Sequence, residues 1–150
     1  MKNIDIINRK AYFNYTVLDK LECGIELRGN EVKSIRSGMC SIKEAWCDVQ
    51  NNELYIKNMH ITKYDTSNSF DVDETRPRKL LAHKKEIISF NSRTNEKGVA
   101  LVPLKIYAKG NRIKVLVGLC RGKKLYDKRR DIKERDLNRE LRRENKYNIK

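Results

Sequence analysis

A chain of 150 residues fits one domain with a single core and an appendage, and leaves little room for a second domain. Hydrophobic residues make up 39% and charged residues 36%, so a compact core sits under an ionic surface; no apolar run approaches the ~18–20 residues of a bilayer span. The formal charge of +14 points to a polyanionic partner, nucleic acid before anionic membrane.

The opening stretch, MKNIDIINRKAYFNY, lacks the unbroken apolar segment of a signal peptide, so cytoplasmic residence is expected. From Tyr15 to Leu27, β-branched and aromatic residues interrupted by Gly24 predict a strand pair or one bent strand. In GNEVKSIRSG, Val32 and Ile35 lie three apart between glycines, which suits one or two helical turns with both side chains inward. Trp46, Asp48 and the Asn51-Asn52 pair lead into Leu54 and Ile56, the pattern of a hairpin. YDTSNSFDVDET is polar and reads as a loop.

In TRPRKLLAHKKEIISF, Thr75 can cap a helix and Pro77 can start one. Leu80, Leu81, Ile87 and Ile88 would supply its apolar stripe, and Gly98 would close it. VALVPLKIYAKGNRIKVLVGLC is the clearest hairpin. Lys105, Lys109, Arg112 and Lys114 alternate against Ile106, Ile113, Val115 and Val117. Strands outnumber helices, so the fold expected is mainly β: a small antiparallel β-barrel with short flanking helices.

Residues 121–150 differ from residues 1–120. They hold 13 Lys and Arg against 6 Asp and Glu, which is half of the chain's excess charge. Ile132 and Leu137 are out of helical phase, so the apolar face is thin. The expectation is a basic tail that is disordered when free and helical against an anionic partner.

Little in the chain resembles catalytic apparatus. Cys23, Cys40, Cys47 and Cys120 contain no C-x-x-C pair, which argues for reduced thiols and no metal. His60 and His83 lie in no nucleophile motif, and the acidic residues are scattered among cations. Cations do lie beside aromatics. Tyr64, Arg76, Arg78 and Lys79 flank the central loop, and Tyr107, Lys109 and Arg112 the last hairpin, a pattern suited to RNA phosphates and unpaired bases.

Three motifs in order, GNEVKSIRSG, RPRKLL and GKKLYDKR, within stretches covering nearly the whole chain, resemble the bacterial SsrA-binding protein family, also called small protein B. The resemblance implies an OB-fold-like barrel that binds the tRNA-like domain of transfer-messenger RNA (tmRNA). It implies delivery of that RNA, with elongation factor Tu, to stalled ribosomes for trans-translation, by a monomer that is no enzyme and needs no cofactor.

By the same resemblance the RNA-facing positions would include Gly29, Glu31, Lys33, Ser34 and Arg36, with His60, Tyr64, Asn68, Arg76, Arg78 and Lys79. Glu31 has the alternative of a local salt bridge or helix cap. Gly122, Lys123, Lys124, Tyr126, Asp127, Lys128 and Arg129 would enter the ribosomal decoding centre and the empty mRNA channel. The rival is a general single-stranded nucleic-acid binder on the same barrel.

Overall fold

The structure, a computed structural model, describes residues 4–63, 73–123, 129 and 132–139. In chain order the elements are β1 (Asp5–Ile7), α1 (Arg9–Asn14), β2 (Tyr15–Ile25), α2 (Gly29–Arg36), β3 (Cys40–Ser41), β4 (Trp46–Gln50) and β5 (Glu53–Lys57). There follow β6 (His60–Ile61), β7 (Arg78–Leu81), α3 (Lys84–Arg93), β8 (Val99–Lys109) and β9 (Arg112–Gly122).

Seven strands form one antiparallel sheet in the order β1-β8-β9-β2-β7-β5-β4, and β3 pairs with β6 separately. The β8–β9 hairpin is the spine. It turns at Gly110, whose φ of 62° lies where only glycine is unstrained. Ile106, Val115 and Val117 are fully buried while Lys109 and Arg112 face water, the alternation expected of it. Asn51 and Asn52, at φ of 53° and 63°, make the β4–β5 turn, which asparagine tolerates better than most side chains.

The core lies on one face of the sheet. Leu54, Ile56, Leu80, Ile106, Val115 and Val117 meet Ile35 of α2, and Val32 packs at their margin. A smaller cluster on the other face joins Ala11, Val102, Leu104 and Cys120. Gly118 belongs to that contact: a Cβ there would stand 2.6 Å from Leu104 Cδ1. Alanine at 118 would overpack the site at a cost of about 1–3 kcal/mol.

Two expectations require correction. First, the barrel is not closed. β1 and β4 end the sheet at opposite edges, and β4 lies near β8 without pairing to it. β1 is three residues long, and Asn8 turns the chain into α1 where a closing ladder would run. The Asn8 amide replaces ladder bonds, donating to Ile42 O at 3.1 Å and Pro103 O at 2.9 Å and accepting from Ala11 N at 3.1 Å.

Second, no helix begins at Pro77. Residues 78–81 form β7, and α3 starts at Lys84 after a His83 N-cap. Leu80 is wholly buried and Leu81 is 46% exposed, so the period here is two. β5 supplies the ladder, pairing Leu54 with Leu80 and Ile56 with Arg78. Thr75 instead closes a turn, its N–H and hydroxyl both donating to Asp73 Oδ1. The C-cap of α3 is Thr94, four residues before Gly98.

β9 runs on past Cys120. β9 pairs Arg121 with Thr16 and Gly122 with Tyr15, and Lys123 N–H donates to Asn14 O at 2.8 Å. Residues 132–139 are helical and exposed throughout. Arg135 holds its guanidinium 5.3 Å from the Phe13 ring centroid.

Candidate nucleic-acid interface

The residues proposed from sequence fall into separate groups. The first is internal. Glu31, one turn into α2, accepts from the Arg28 amide at 2.8 Å and from Arg76 through Oε1, while Oε2 accepts from Arg78 Nε at 2.6 Å. The Arg78 guanidinium also donates to the carbonyls of Met59 (2.7 Å), Arg76 (3.1 Å) and Glu74 (3.1 Å). Glu31 and Arg78 are both buried, so in this conformation neither presents a polar atom to a partner. Ser34 is buried as well, its hydroxyl without a hydrogen bond among the described residues. These residues hold α2 against β7 and the segment before it; for Glu31, the salt bridge and cap are its observed role.

Burial alone would raise the Glu31 pKa. The Arg28 amide and the guanidiniums of Arg76 and Arg78 outweigh it and bring the pKa below the usual carboxylate value.

A second group is outward. Gly29 opens α2 with free space where a Cβ would be, and Lys33 is exposed on the same helix. Arg36 reaches across to the β8–β9 turn, its Nη2 donating to Asn111 O at 3.1 Å. Lys109 pairs with Glu22 at 3.3 Å, and the Tyr107 hydroxyl donates to the same carboxylate. That bond, with the Lys109 charge, depresses the Glu22 pKa, while burial and the carboxylate push the Tyr107 hydroxyl above the usual tyrosine range.

Between α2 and the hairpin lies a groove of about 360 Å³. Gly24, Leu27, Val32 and Leu81 give it an apolar floor, and Arg112 and Lys114 border it. Leu81 was missed as a surface candidate because the helical reading placed it in the core. The signal available was the R-K-L-L alternation, which sends Leu80 and Leu81 to opposite faces of a strand. Gly24 permits the arrangement: its missing Cβ would lie 3.3 Å from Leu81 Cβ.

The remaining positions scatter. His60 Nε2 donates to Glu74 Oε2 at 2.6 Å, and Lys79 pairs with Glu53 at 3.1 Å, away from the buried arginine beside it in sequence. Tyr64, Asn68, Lys124, Tyr126, Asp127 and Lys128 lie outside the described residues. Gly122 ends β9, and Arg129 is exposed.

All four cysteines are free thiols. Burial pushes Cys23 and Cys40 up to about 12 and Cys120 to about 11, which leaves them poor nucleophiles at neutral pH. Among the described residues no group of His, Cys, Asp and Glu is arranged to hold a metal ion, and no helix is long and apolar enough to cross a membrane.

Comparison with known proteins places these features in context. Residues 6–147 match the model of a family described as SmpB protein. The SsrA-binding protein of Treponema denticola is 50% identical over 137 residues, 91% of this chain and 89% of that protein. The SsrA-binding protein of Carboxydothermus hydrogenoformans is 49% identical over 141 residues, 94% and 95% of the two chains. A solved chain described under "tmRNA-SmpB: a journey to the center of the bacterial ribosome" superposes with a TM-score of 0.69 at 41% identity, covering 81% of this chain and 86% of that one.

Proposed function

The chain belongs to the SmpB protein family, and on that footing we propose that it binds the tRNA-like domain of tmRNA and delivers it to stalled ribosomes for trans-translation. The observation that carries this reading is the family match across residues 6–147, nearly the full chain. The charge of +14 supports it, since phosphate neutralisation by Lys and Arg is the main source of RNA affinity.

On this reading the groove between α2 and the β8–β9 hairpin is the RNA-recognition surface. Its cations, Arg112 and Lys114, meet phosphates, with Lys33, Arg36 and Lys109 around it; Leu81 and Val32 offer an apolar seat for a splayed base. Glu31, Ser34 and Arg78 act by positioning α2. His60, Arg76 and Lys79 extend the contact beyond the groove, with Tyr64 and Asn68 as further candidates. The body is read as OB-fold-like with an open seam.

The tail, from Lys123 through Arg129, is assigned to the decoding centre and the vacant mRNA channel. An occupied channel competes with it for the same space. Elongation factor Tu accompanies the complex, the protein acts as a monomer in the cytoplasm, and it catalyses no reaction of its own.

The test is competition at near-physiological salt between a tRNA-like transcript and an unrelated hairpin of equal length. The transcript should win by at least tenfold. Equal competition would mark a general nucleic-acid binder and end the specific reading.

A further inference from the structure

Where the sheet fails to close, the seam between β4 and the far end of β8 holds a cleft of about 300 Å³. Lys10 and Asn14 of α1, Tyr15, Lys43 and Trp46 contribute to its walls. Trp46 is the single tryptophan of the chain, and it opens an edge strand with 48% of its surface exposed. Its cross-strand partner Lys57 holds an ammonium 5.0 Å from the ring centroid and is anchored by Asp48 at 3.0 Å. A core tryptophan would be buried. This ring is instead fixed in orientation by a cation–π contact and a strand, and left partly in water.

The charge around it favours an anion. Lys43 is exposed and makes no ion pair among the described residues. Lys10 is held by Glu44 at 2.7 Å, but both side chains are more than half exposed, so the pair opens readily. Asn14 and Tyr15 add groups able to donate and accept hydrogen bonds.

We propose that this cleft is a second RNA site, taking one unpaired nucleotide with its base stacked on Trp46 and its phosphate on Lys43 and Lys10. The choice of nucleic acid rests on the RNA-binding reading above; the placement of the site does not. The cleft volume is at the small end of ligand pockets, which start at about 300 Å³, so it suits a single nucleotide and excludes a duplex. Leu101 at the cleft and Lys109 at the hairpin turn are eight residues apart on one strand, roughly 25 Å. One nucleotide therefore cannot serve both groove and cleft. Asn14, on the cleft wall, receives the Lys123 amide, so the tail leaves the body at its rim.

The lone tryptophan is its own probe. The intact chain is titrated with a mixed-sequence RNA pentanucleotide while Trp46 emission is followed, with a blunt RNA duplex and heparin as comparisons. Saturable quenching by the pentanucleotide, absent with duplex and heparin, is expected, and Lys43→Glu should raise the midpoint about tenfold. In anisotropy with labelled pentanucleotide, Trp46→Leu should lose roughly tenfold or more and Trp46→Phe much less, because stacking survives on phenylalanine. Thermal unfolding of each variant confirms that the fold is kept. Affinities of Trp46→Leu for the tRNA-like transcript and for ribosomes identify the source of the nucleotide as the one that weakens. Unchanged emission, equal quenching by heparin, or indifference to Lys43→Glu overturns the site. If the same chain still binds the transcript, only the cleft fails; if it binds no RNA, the functional reading fails with it.

Discussion

Arg78 Nε stands 2.6 Å from Glu31 Oε2, and both side chains are buried between α2 and β7. The two residues are 47 positions apart, so this bond fixes the helix beside the groove to the strand that forms the groove's floor. A motif that looks like a row of RNA contacts in sequence is, at these two positions, an internal brace.

Removing one partner should therefore unfold the protein more readily than it weakens RNA contacts directly. Arg78→Met leaves Glu31 with half of its guanidinium partners gone, and Glu31→Gln leaves a buried guanidinium without its counter-charge. Each should cost about 3–5 kcal/mol in urea unfolding, and the double variant should recover part of that loss. Arg78→Lys should fall between, since a point ammonium cannot reach Glu31 and the carbonyls of Met59 and Glu74 together. A change below 1 kcal/mol in Arg78→Met would show that the brace is dispensable.

The same brace predicts acid sensitivity. Burial works against the Glu31 carboxylate, but the Arg28 amide and two guanidiniums lower its pKa in the folded state. A depressed folded pKa contributes stability above the unfolded value, about 4.3, and loses it as pH falls through the folded one. Urea midpoints should thus drop on acidification below about pH 4.3, and Glu31→Gln should drop less steeply. Some slope should persist, because Asp19, Glu22, Glu44 and Glu53 are also lowered by their partners. An identical slope in Glu31→Gln would remove Glu31 from the explanation.

The elements most legible in sequence were those whose signal is local. The β8–β9 alternation and the Asn51-Asn52 turn need only neighbouring residues to be recognised, and both stand as expected. Residues 78–81 were misread because Leu80, Leu81, Ile87 and Ile88 satisfy a helical spacing equally well. The decision lies with β5, whose open edge captures the segment as a strand. Closure of the sheet is likewise non-local: three residues of β1 and the Asn8 amide leave the seam open, and neither is weighted by composition. β1 and α1 themselves passed unnoticed, although Asn8 is a helix cap with its side chain on Ala11 N–H. The candidate site shows the same division. Cations were found by type and position, while burial of Arg78 and exposure of Leu81 depend on which face each strand presents.

The groove makes a separate prediction about RNA. Arg112→Glu and Lys114→Glu lie at its border and away from the core, so unfolding midpoints should stay put. Affinity for the tRNA-like transcript should fall at least tenfold, and the log-log salt slope should lose roughly one unit for each phosphate contact removed. Gly24→Ala should weaken binding more gently, since its Cβ would press on Leu81 at 3.3 Å. Unchanged affinity in both charge reversals would shift recognition elsewhere on the body.

The division between body and tail is tested by where the chain is cut. Removing residues 124–150 takes away 11 Lys and Arg and 6 Asp and Glu, a net +5, yet leaves every described ladder bond of β9 in place. At physiological salt the Debye length is about 8 Å, so charge beyond the body adds little to RNA held in the groove. This truncation should bind the tRNA-like transcript within a few-fold of the full chain and melt at the same temperature, but support no peptide tagging on stalled ribosomes. A cut after Cys120 is different: it strips the partners of Tyr15, Thr16 and Val99 and the Lys123 bond to Asn14, and should lower stability as well. Full tagging by the shorter chain that ends at Lys123 would contradict the role of the tail, and loss of transcript binding by it would contradict the self-sufficiency of the groove.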